Sequence, residues 1–216
     1  NPYTDTQNGV WTYGRSASVA GGTVIPLDAR NNASSACLGF KPSDNSHPEM
    51  YVNTGTGSLK LGGNVTYSAL NDPDKATLIG KLDLNGGTRT FTVGNSVAPG
   101  AAIDMDVAAT IIGAATFGVT KAGAGVMRLS VSNSFDGPVA TSDGSGTIIL
   151  SHPNALGSPT AGRTIGVANT VTLALDGSNG SIIFPALYTN VFLNGAGDSL
   201  VGPVRGALAN WSGSHT

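Results

Sequence analysis

Two aspartates that stand two positions apart are the first residues in the sequence whose spacing could support chemistry. Asp104 and Asp106 alternate with Ile103, Met105 and Val107, so on a β-strand the two carboxylates share one face. Such a pair can bind Ca²⁺ or act in general acid–base catalysis if further oxygen ligands converge on it. We favour the simpler interpretation, in which both side chains lie on an outward strand face opposite the three apolar residues.

The remaining residues that could do chemistry lack the spacing of known sites. His47, His152 and His215 are far apart, and no pair of His or Cys residues has the spacing of a zinc site. No Gly-x-Ser-x-Gly nucleophile motif is present either. We therefore predict no catalytic residues and no cofactor. Trp11 and Tyr13 could stack on sugars, which makes them candidate glycan contacts, although packing inside the N-terminal region is the alternative.

Composition excludes several classes of protein. Charged residues make up 11% of the 216 residues, and the net charge is −2, so the basic surface that nucleic acid requires is missing. No apolar run approaches the roughly 18 residues of a membrane-spanning helix, so we expect no membrane insertion by this segment. The chain contains 31 glycines and few of the strong helix formers, which favours short strands separated by turns.

From Ser58 onward, apolar and polar residues alternate over short segments bounded by Gly, Asn, Asp and Pro, which is the pattern of β-strands. In the segment 170–176, for example, Val171, Leu173 and Leu175 are expected to face inward. The connections are too short for the helix of a βαβ unit. Strands are predicted at 58–61, 65–67, 78–84, 89–93, 102–112, 126–131, 146–150, 163–167, 170–175, 181–184 and 190–193.

Two all-β architectures satisfy this pattern, a parallel β-helix and an antiparallel β-sandwich. A β-helix needs small residues at its corners and aliphatic rows inside, and each coil is stabilised by its neighbours. The aromatic content of 6% favours it over a sandwich. We predict an irregular N-terminal cap over residues 1–57, with further strands near 9–13 and 23–27, followed by β-helix coils over residues 58–216.

One stretch of the sequence resembles a known family. The segments Gly118–Ser130, Asn133–Gly137, Gly146–Leu150 and Asn154–Gly157 together resemble the passenger-associated transport repeat, also called the autotransporter-associated β-strand repeat. The resemblance covers residues 118–157. It implies a right-handed parallel β-helix, a location outside the cell or on a bacterial cell surface, and a role in shaping or translocating a passenger stalk rather than in catalysis.

The motif also has a physical interpretation. Gly123 and Gly125 are expected to supply the positive φ or the close backbone approach that a tight corner needs. Lys121 is expected to point outward or to cap a coil edge. The inward apolar surface is expected from Val119, Val126, Leu129 and Val131, and the other structural positions of the motif are Phe135, Gly137, Leu156 and Gly157.

These observations favour a non-enzymatic extracellular structural module, such as a surface stalk, a surface layer or a fibre-forming solenoid. One alternative is a segment of an adhesin that binds carbohydrates or a host surface. Another is a β-helix polysaccharide lyase or hydrolase, which would need carboxylates clustered with Arg or Lys on one external sheet. Since solenoid ends expose unpaired backbone groups and residues 209–216 show no polar cap, we expect continuation in a longer chain or end-to-end contact with another subunit.

Overall fold

The computed structural model describes residues 18–19, 37–42, 48–69, 75–97, 102–114, 116–142, 144, 146–160, 162–182, 184, 186–199 and 206–215, with the backbone alone up to residue 51. Sixteen strands and one turn of 3₁₀ helix, Gly177–Asn179, lie in these ranges. No helix in the described ranges has the length and hydropathy to span a membrane. The strands are β1 (Ser18–Val19), β2 (Cys37–Pro42), β3 (Pro48–Asn53), β4 (Leu59–Lys60), β5 (Val65–Tyr67), β6 (Ala76–Asp83), β7 (Arg89–Val93), β8 (Met105–Ile112), β9 (Val119–Ala122), β10 (Val126–Leu129), β11 (Val139–Thr141), β12 (Thr147–Leu150), β13 (Arg163–Val167), β14 (Thr172–Asp176), β15 (Tyr188–Leu193) and β16 (Leu208–Ser212).

The strands form two sheets, and the chain passes from one sheet to the other along most of its length. The seven-stranded sheet has the order β1-β5-β7-β9-β11-β13-β15, and the nine-stranded sheet has the order β16-β14-β12-β10-β8-β6-β3-β2 with β4 also paired to β6. Every described pair between β3 and β16 is parallel. The fold is therefore a parallel β-solenoid of about 5 turns, as predicted, and the sandwich alternative is wrong.

The turns of the solenoid differ in length although their strands stack in register. Val119 of β9 lies beside Val139 of β11, so this turn takes 20 residues. Leu173 of β14 lies beside Leu208 of β16, so the last turn takes 35. Neighbouring strands stack about 4.8 Å apart in both cases. The extra residues must therefore lie in the corners rather than in the strands.

Aliphatic rows that run along the solenoid axis form its core. In the nine-stranded sheet, Val107, Leu129 and Leu150 stack in one row, and all three are 0% exposed. Leu173 and Leu175 continue the inner face of the same sheet and, with Val171, belong to the core cluster, as their alternation predicts. Since each fully buried aliphatic side chain contributes about 1.5–3 kcal/mol, and no single turn can enclose its own row, stacking is the main source of stability.

One predicted strand, 181–184, is absent from the residues of that segment which the structure describes. Residues 181, 182 and 184 have no strand pairing, because the backbone N–H of Ile182 donates to His215 Nδ1 at 3.3 Å rather than to a neighbouring strand. The Ile182 side chain is buried in the core. The segment therefore serves as an apolar anchor between strands.

At its N-terminal end the solenoid departs from purely parallel pairing. At the N-terminal end, β1 pairs antiparallel with β5 and β2 pairs antiparallel with β3, so both sheets finish on an antiparallel strand. β3 itself falls within residues 1–57 and pairs in parallel with β6. The strands predicted near 9–13 and 23–27, and most of the predicted cap, lie outside the described residues.

Candidate functional site

The most buried charges of the described chain gather at the corner where the seven-stranded sheet passes to the nine-stranded sheet. Asp104 lies before β8, Lys121 lies on β9, and Asp198 lies between β15 and β16. Their residues are 0%, 0% and 3% exposed. We call these three residues the charged corner. Three different turns of the solenoid contribute to it, so only the folded chain brings them together.

Lys121 points into the solenoid, so the prediction that it points outward is wrong. It alternates with Thr120 on β9 and shares the face of Val119, and its neighbour on β7 is the buried Phe91. The strand periodicity therefore turns it inward. Its ammonium donates a hydrogen bond to the carbonyl of Gly123 at the adjacent corner. The long side chain thus satisfies a corner carbonyl from inside the core.

Burial changes the acidity of two members of the charged corner. It lowers the pKa of Lys121 to about 8, although the charges of Asp198 and Asp104 oppose the change. It also raises the pKa of Asp104, against the backbone N–H groups of Val126 and Ser96 and the charge of Lys121. Both directions follow from the cost of keeping a charge away from water.

Asp104 and Asp106 lie on the same side of the chain, as predicted, but neither lies on an exposed face. They are 0% and 8% exposed. Asp104 accepts backbone N–H groups at both carboxylate oxygens, from Ser96 at 2.6 Å and from Val126 at 2.7 Å. These bonds fix the start of β10 beside that of β8, which is a structural use of the carboxylate. Ile103 packs against Val126 in a second apolar cluster instead of joining the main core.

The described residues contain no group of three or more His, Cys, Asp or Glu that could hold a metal ion. Asp106 instead forms an ion pair with Arg128 of β10, with 2.5 Å between its Oδ2 and the guanidinium Nη2. This bond is the main cause of the raised pKa of Arg128. Asp106 Oδ1 and Arg128 Nε are buried without a protein partner. The pair lies on the outer side of the nine-stranded sheet, opposite the inward Met105 and Val107.

The corner segment 194–199 reaches back over the outer side of the nine-stranded sheet. Thr147 Oγ1 of β12 donates to Asp198 Oδ2 at 3.3 Å, and the backbone N–H of Asp198 donates to Thr172 Oγ1 of β14 at 2.8 Å. Thr172 Oγ1 in turn donates to the carbonyl of Gly206 at 2.8 Å. Asp198 was not predicted from the sequence, because its partner Thr147 lies 51 residues away and no local motif marks the contact.

Other buried polar side chains join successive turns in the same way, and their contacts were not predicted from the sequence either. Asn133 accepts the backbone N–H of Ile111 at 2.8 Å and donates to the carbonyl of Ala155 at 2.7 Å. It is 2% exposed. One amide side chain therefore binds the turn before it and the turn after it.

Asp176 is a second such connector. Its carboxylate accepts hydrogen bonds from Ser151 Oγ at 2.8 Å and from Ser212 Oγ, which belong to the preceding and following turns, and from the backbone N–H of Ser178 at 3.0 Å. Burial alone would raise its pKa, but these donors outweigh burial and lower the pKa to about 2. The carboxylate is therefore a structural anion.

The glycines of the motif act as predicted. Gly123 has φ +78°, and a Cβ on it would lie 2.5 Å from the carbonyl oxygen of Val93. Gly125 lacks a positive φ, but a Cβ on it would collide with the carbonyl of Gly94 on the previous turn. The motif residues Leu129, Phe135, Leu156, Gly137 and Gly157 are all buried.

Two motif positions differ from the expectation. Val126 is buried in the second apolar cluster, with Ile149 and Ala174, on the outer side of the nine-stranded sheet, and Met127 takes the inward position at 0% exposure. Val131 is only half-buried. On β10 the inward positions therefore begin at Met127, one residue later than the motif pattern predicted.

The aromatic and histidine candidates are dispersed. Trp11, Tyr13 and His47 lie outside the described residues. Trp211 packs against the second apolar cluster from β16. His215 lies within hydrogen-bond distance of the carbonyl of Leu175, at 3.2 Å from its Nε2. The structure does not bring His152 or His215 near the charged corner through any described contact.

Comparisons of the chain with protein-family models, with curated proteins and with solved structures give no match.

Proposed function

We propose that this chain is a non-enzymatic structural module of an extracellular or bacterial cell-surface protein, in which the stacked turns act as a rigid stalk. The observation that carries the proposal is the use of the buried charges. A catalytic acid, base or nucleophile must reach a substrate, whereas Asp104, Lys121 and Asp176 are at most 6% exposed. Asp104 and Asp176 bind neighbouring turns, and Lys121 binds a corner carbonyl. The polar groups of these side chains are therefore used to hold the solenoid together.

The location outside the cell, the right-handed coil and membership of the autotransporter-associated repeat family belong to the same proposal. They are supported by the resemblance at residues 118–157 and by the way its segments fold. β9 and β10 stack on the strands before and after them, with Gly123 and Gly125 between them. A repeat that shapes a stalk requires this arrangement.

Labelling of intact cells tests the location. An epitope inserted between Asn85 and Gly86, which are exposed in the turn between β6 and β7, should be accessible to antibody on intact cells of the natural host. An internal marker of the same cells serves as the control for leakage. Labelling that appears only after permeabilisation would contradict the extracellular role.

One observation favours a second candidate, a polysaccharide lyase or hydrolase. Asp106 and Arg128 form an acid–base pair on an external sheet, the Arg128 side chain is 29% exposed, and each partner has one unsatisfied polar atom. The neighbouring row positions Thr77, Ile149 and Ala174 supply no further charge. The charge of Asp176 acts on Arg128, but that carboxylate is bound by Ser151, Ser178 and Ser212 and so is not placed to serve as the second carboxylate of a glycosidase.

A depolymerisation assay separates the two candidates. The purified chain and its Asp106→Asn variant are incubated with a panel of uronic-acid and neutral polysaccharides, and new reducing ends are measured. The structural role predicts no turnover by either protein. Turnover by the native chain that falls at least a hundredfold in Asp106→Asn, with Lys60→Gln unaffected, would favour the enzyme.

A further inference from the structure

The sequence contains four Asn-x-Ser/Thr triplets, and three of them lie within the described residues. Such a triplet, with x other than proline, is the acceptor sequence for N-glycosylation at the surface of an exported protein. The three begin at Asn64, Asn179 and Asn210, and the fourth, at Asn32, lies outside the described residues. The asparagine of each described triplet is exposed. Exposure therefore does not distinguish the three positions, but their hydrogen bonds do.

Two of the described triplets use the amide nitrogen of their asparagine within the fold. Asn179 Nδ2 donates to the carbonyl of Ser151 on the preceding turn at 3.2 Å, and Asn210 Nδ2 donates to the carbonyl of Gly213 at 2.9 Å. The hydroxyl of the second triplet, on Ser212, is also bound by a carboxylate. At both positions the fold holds Nδ2 against main chain, where an attached sugar would crowd the carbonyl that Nδ2 binds.

Asn64 is held the other way round. It lies in the corner between β4 and β5, directly after Gly62 and Gly63. Its Oδ1 accepts the backbone N–H of Thr90 on β7 at 2.9 Å. A backbone N–H can bond only to the oxygen of an amide, so this orientation of the side chain is fixed. No described residue binds Asn64 Nδ2. The oxygen therefore attaches the side chain to the next turn, and the nitrogen is left to carry a substituent.

The hydroxyl of this triplet is accessible as well. Val65 and Tyr67 are 2% and 1% exposed, so alternation along β5 turns Thr66 outward, where it is exposed. Its neighbour on β7 is Thr92, so the adjacent outer surface is polar and uncharged. The acceptor nitrogen of Asn64 and the hydroxyl of Thr66 thus meet solvent together beside a surface with which a sugar can form hydrogen bonds.

We propose that Asn64 is an N-glycosylation site, which places a sugar on the outer side of the seven-stranded sheet. The donor is a sugar activated as a phosphate or pyrophosphate ester, and a glycosyltransferase of the host catalyses the transfer. The bond between Asn64 Nδ2 and the anomeric carbon forms, and the bond from that carbon to the phosphate oxygen breaks. The phosphate leaves with the electron pair, and one amide proton is lost to a base of the transferase. This inference rests on the proposed extracellular role and adds a modification to it.

Peptide mapping by mass spectrometry of the chain purified from its natural host tests the site. We expect the peptide that contains Asn64 to carry the added mass of a sugar, and the peptides that contain Asn179 and Asn210 to have the masses of their sequences. The added mass should be lost in Asn64→Gln and in Thr66→Ala. It should be retained in Thr66→Ser, because the acceptor triplet requires a hydroxyl at its third position.

Thr66→Ala separates the modification from folding. It keeps Asn64 and the bond to Thr90, and circular dichroism verifies that the variant folds. A sugar that persists in Thr66→Ala, or that occupies Asn179 or Asn210 instead of Asn64, would overturn the proposal. A chain that antibody reaches on intact cells but that is unmodified at Asn64 would also overturn it and would leave the stalk role standing. A chain reached only after permeabilisation would instead contradict the extracellular role itself.

Discussion

At Lys121 the interior of the solenoid holds an ammonium group. Since burial lowers the pKa of Lys121 from 10.5 to about 8, the unfolded chain binds more protons than the folded chain between these pH values. The contribution of Lys121 to the free energy of unfolding therefore rises with pH across this window. A shift of this size corresponds to about 3 kcal/mol.

Lys121→Met tests this effect. The difference in free energy of unfolding, native minus variant, is expected to increase by about 3 kcal/mol from pH 8 to above pH 10.5, because methionine fills a similar volume and does not titrate. Denaturant unfolding at several pH values measures it. Groups that titrate in both proteins cancel in the difference, so parallel pH profiles would contradict the assignment.

Asp176 should show the opposite dependence. Its pKa is lowered from 3.8 to about 2, so its stabilising effect is fully present above pH 3.8 and is lost as the pH falls toward 2. Asp176→Asn should cost about 2 kcal/mol at neutral pH, with the gap to the native chain closing near pH 2. Thermal unfolding across this range measures it. Asp83→Asn, whose carboxylate accepts a single backbone N–H from Asn85, is the matched control and should cost less.

At the scale of the elements, the corners limit which residues the chain tolerates. A Cβ on Gly137 would collide with the backbone of Phe117 and Gly118 on the preceding turn, whereas a Cβ on Gly166 of β13 would meet nothing within 4 Å. Neither glycine has a positive φ. The two positions therefore differ in packing and not in backbone conformation.

Gly137→Ala and Gly166→Ala form a matched pair. The first is expected to lower the free energy of unfolding by more than about 2 kcal/mol, because main chain must move. The second should change it by less than about 1 kcal/mol, in either direction. Equal effects in chemical denaturation would show that the close approach at Gly137 is not what fixes the corner.

The strands were predictable from the sequence because a strand is a local pattern. Val65–Tyr67, Arg89–Val93 and Arg163–Val167 were predicted with the bounds observed, since alternation and flanking turn residues set them. The charged corner was not predictable. Lys121 faces inward because β9 starts at Val119, and its partner Asp198 is supplied by a corner three turns later. Contacts that depend on how turns of unequal length stack have no local signal.

At the scale of the whole molecule, stability should fall toward the C-terminal end. In stacked repeats each turn is stabilised by its neighbours, and the last turn has one neighbour within the described chain. Its strand residues are largely exposed, whereas those of β12 are buried at every position. The last turn should therefore open before the middle of the solenoid.

Trp211 can report this opening. The sequence contains two tryptophans, so Trp11→Phe leaves Trp211 of the last turn as the single emitter. At low protein concentration its emission should change at a lower denaturant concentration than the far-ultraviolet circular dichroism of the whole chain. Coincident transitions would show that the last turn is as firmly held as the rest.

The unequal turns have a consequence for how such a molecule can lengthen. Copying an internal turn would separate Asn133 from Ile111 or from Ala155, and Asp176 from Ser151 or Ser212, because each side chain is matched to one particular predecessor and successor. Appending new turns beyond β16 would disturb none of these described bonds and would bury Val191 and Leu208. Duplication of an internal turn would therefore lower the stability of the solenoid, whereas a turn added after β16 would raise it. The chain is best extended at that end.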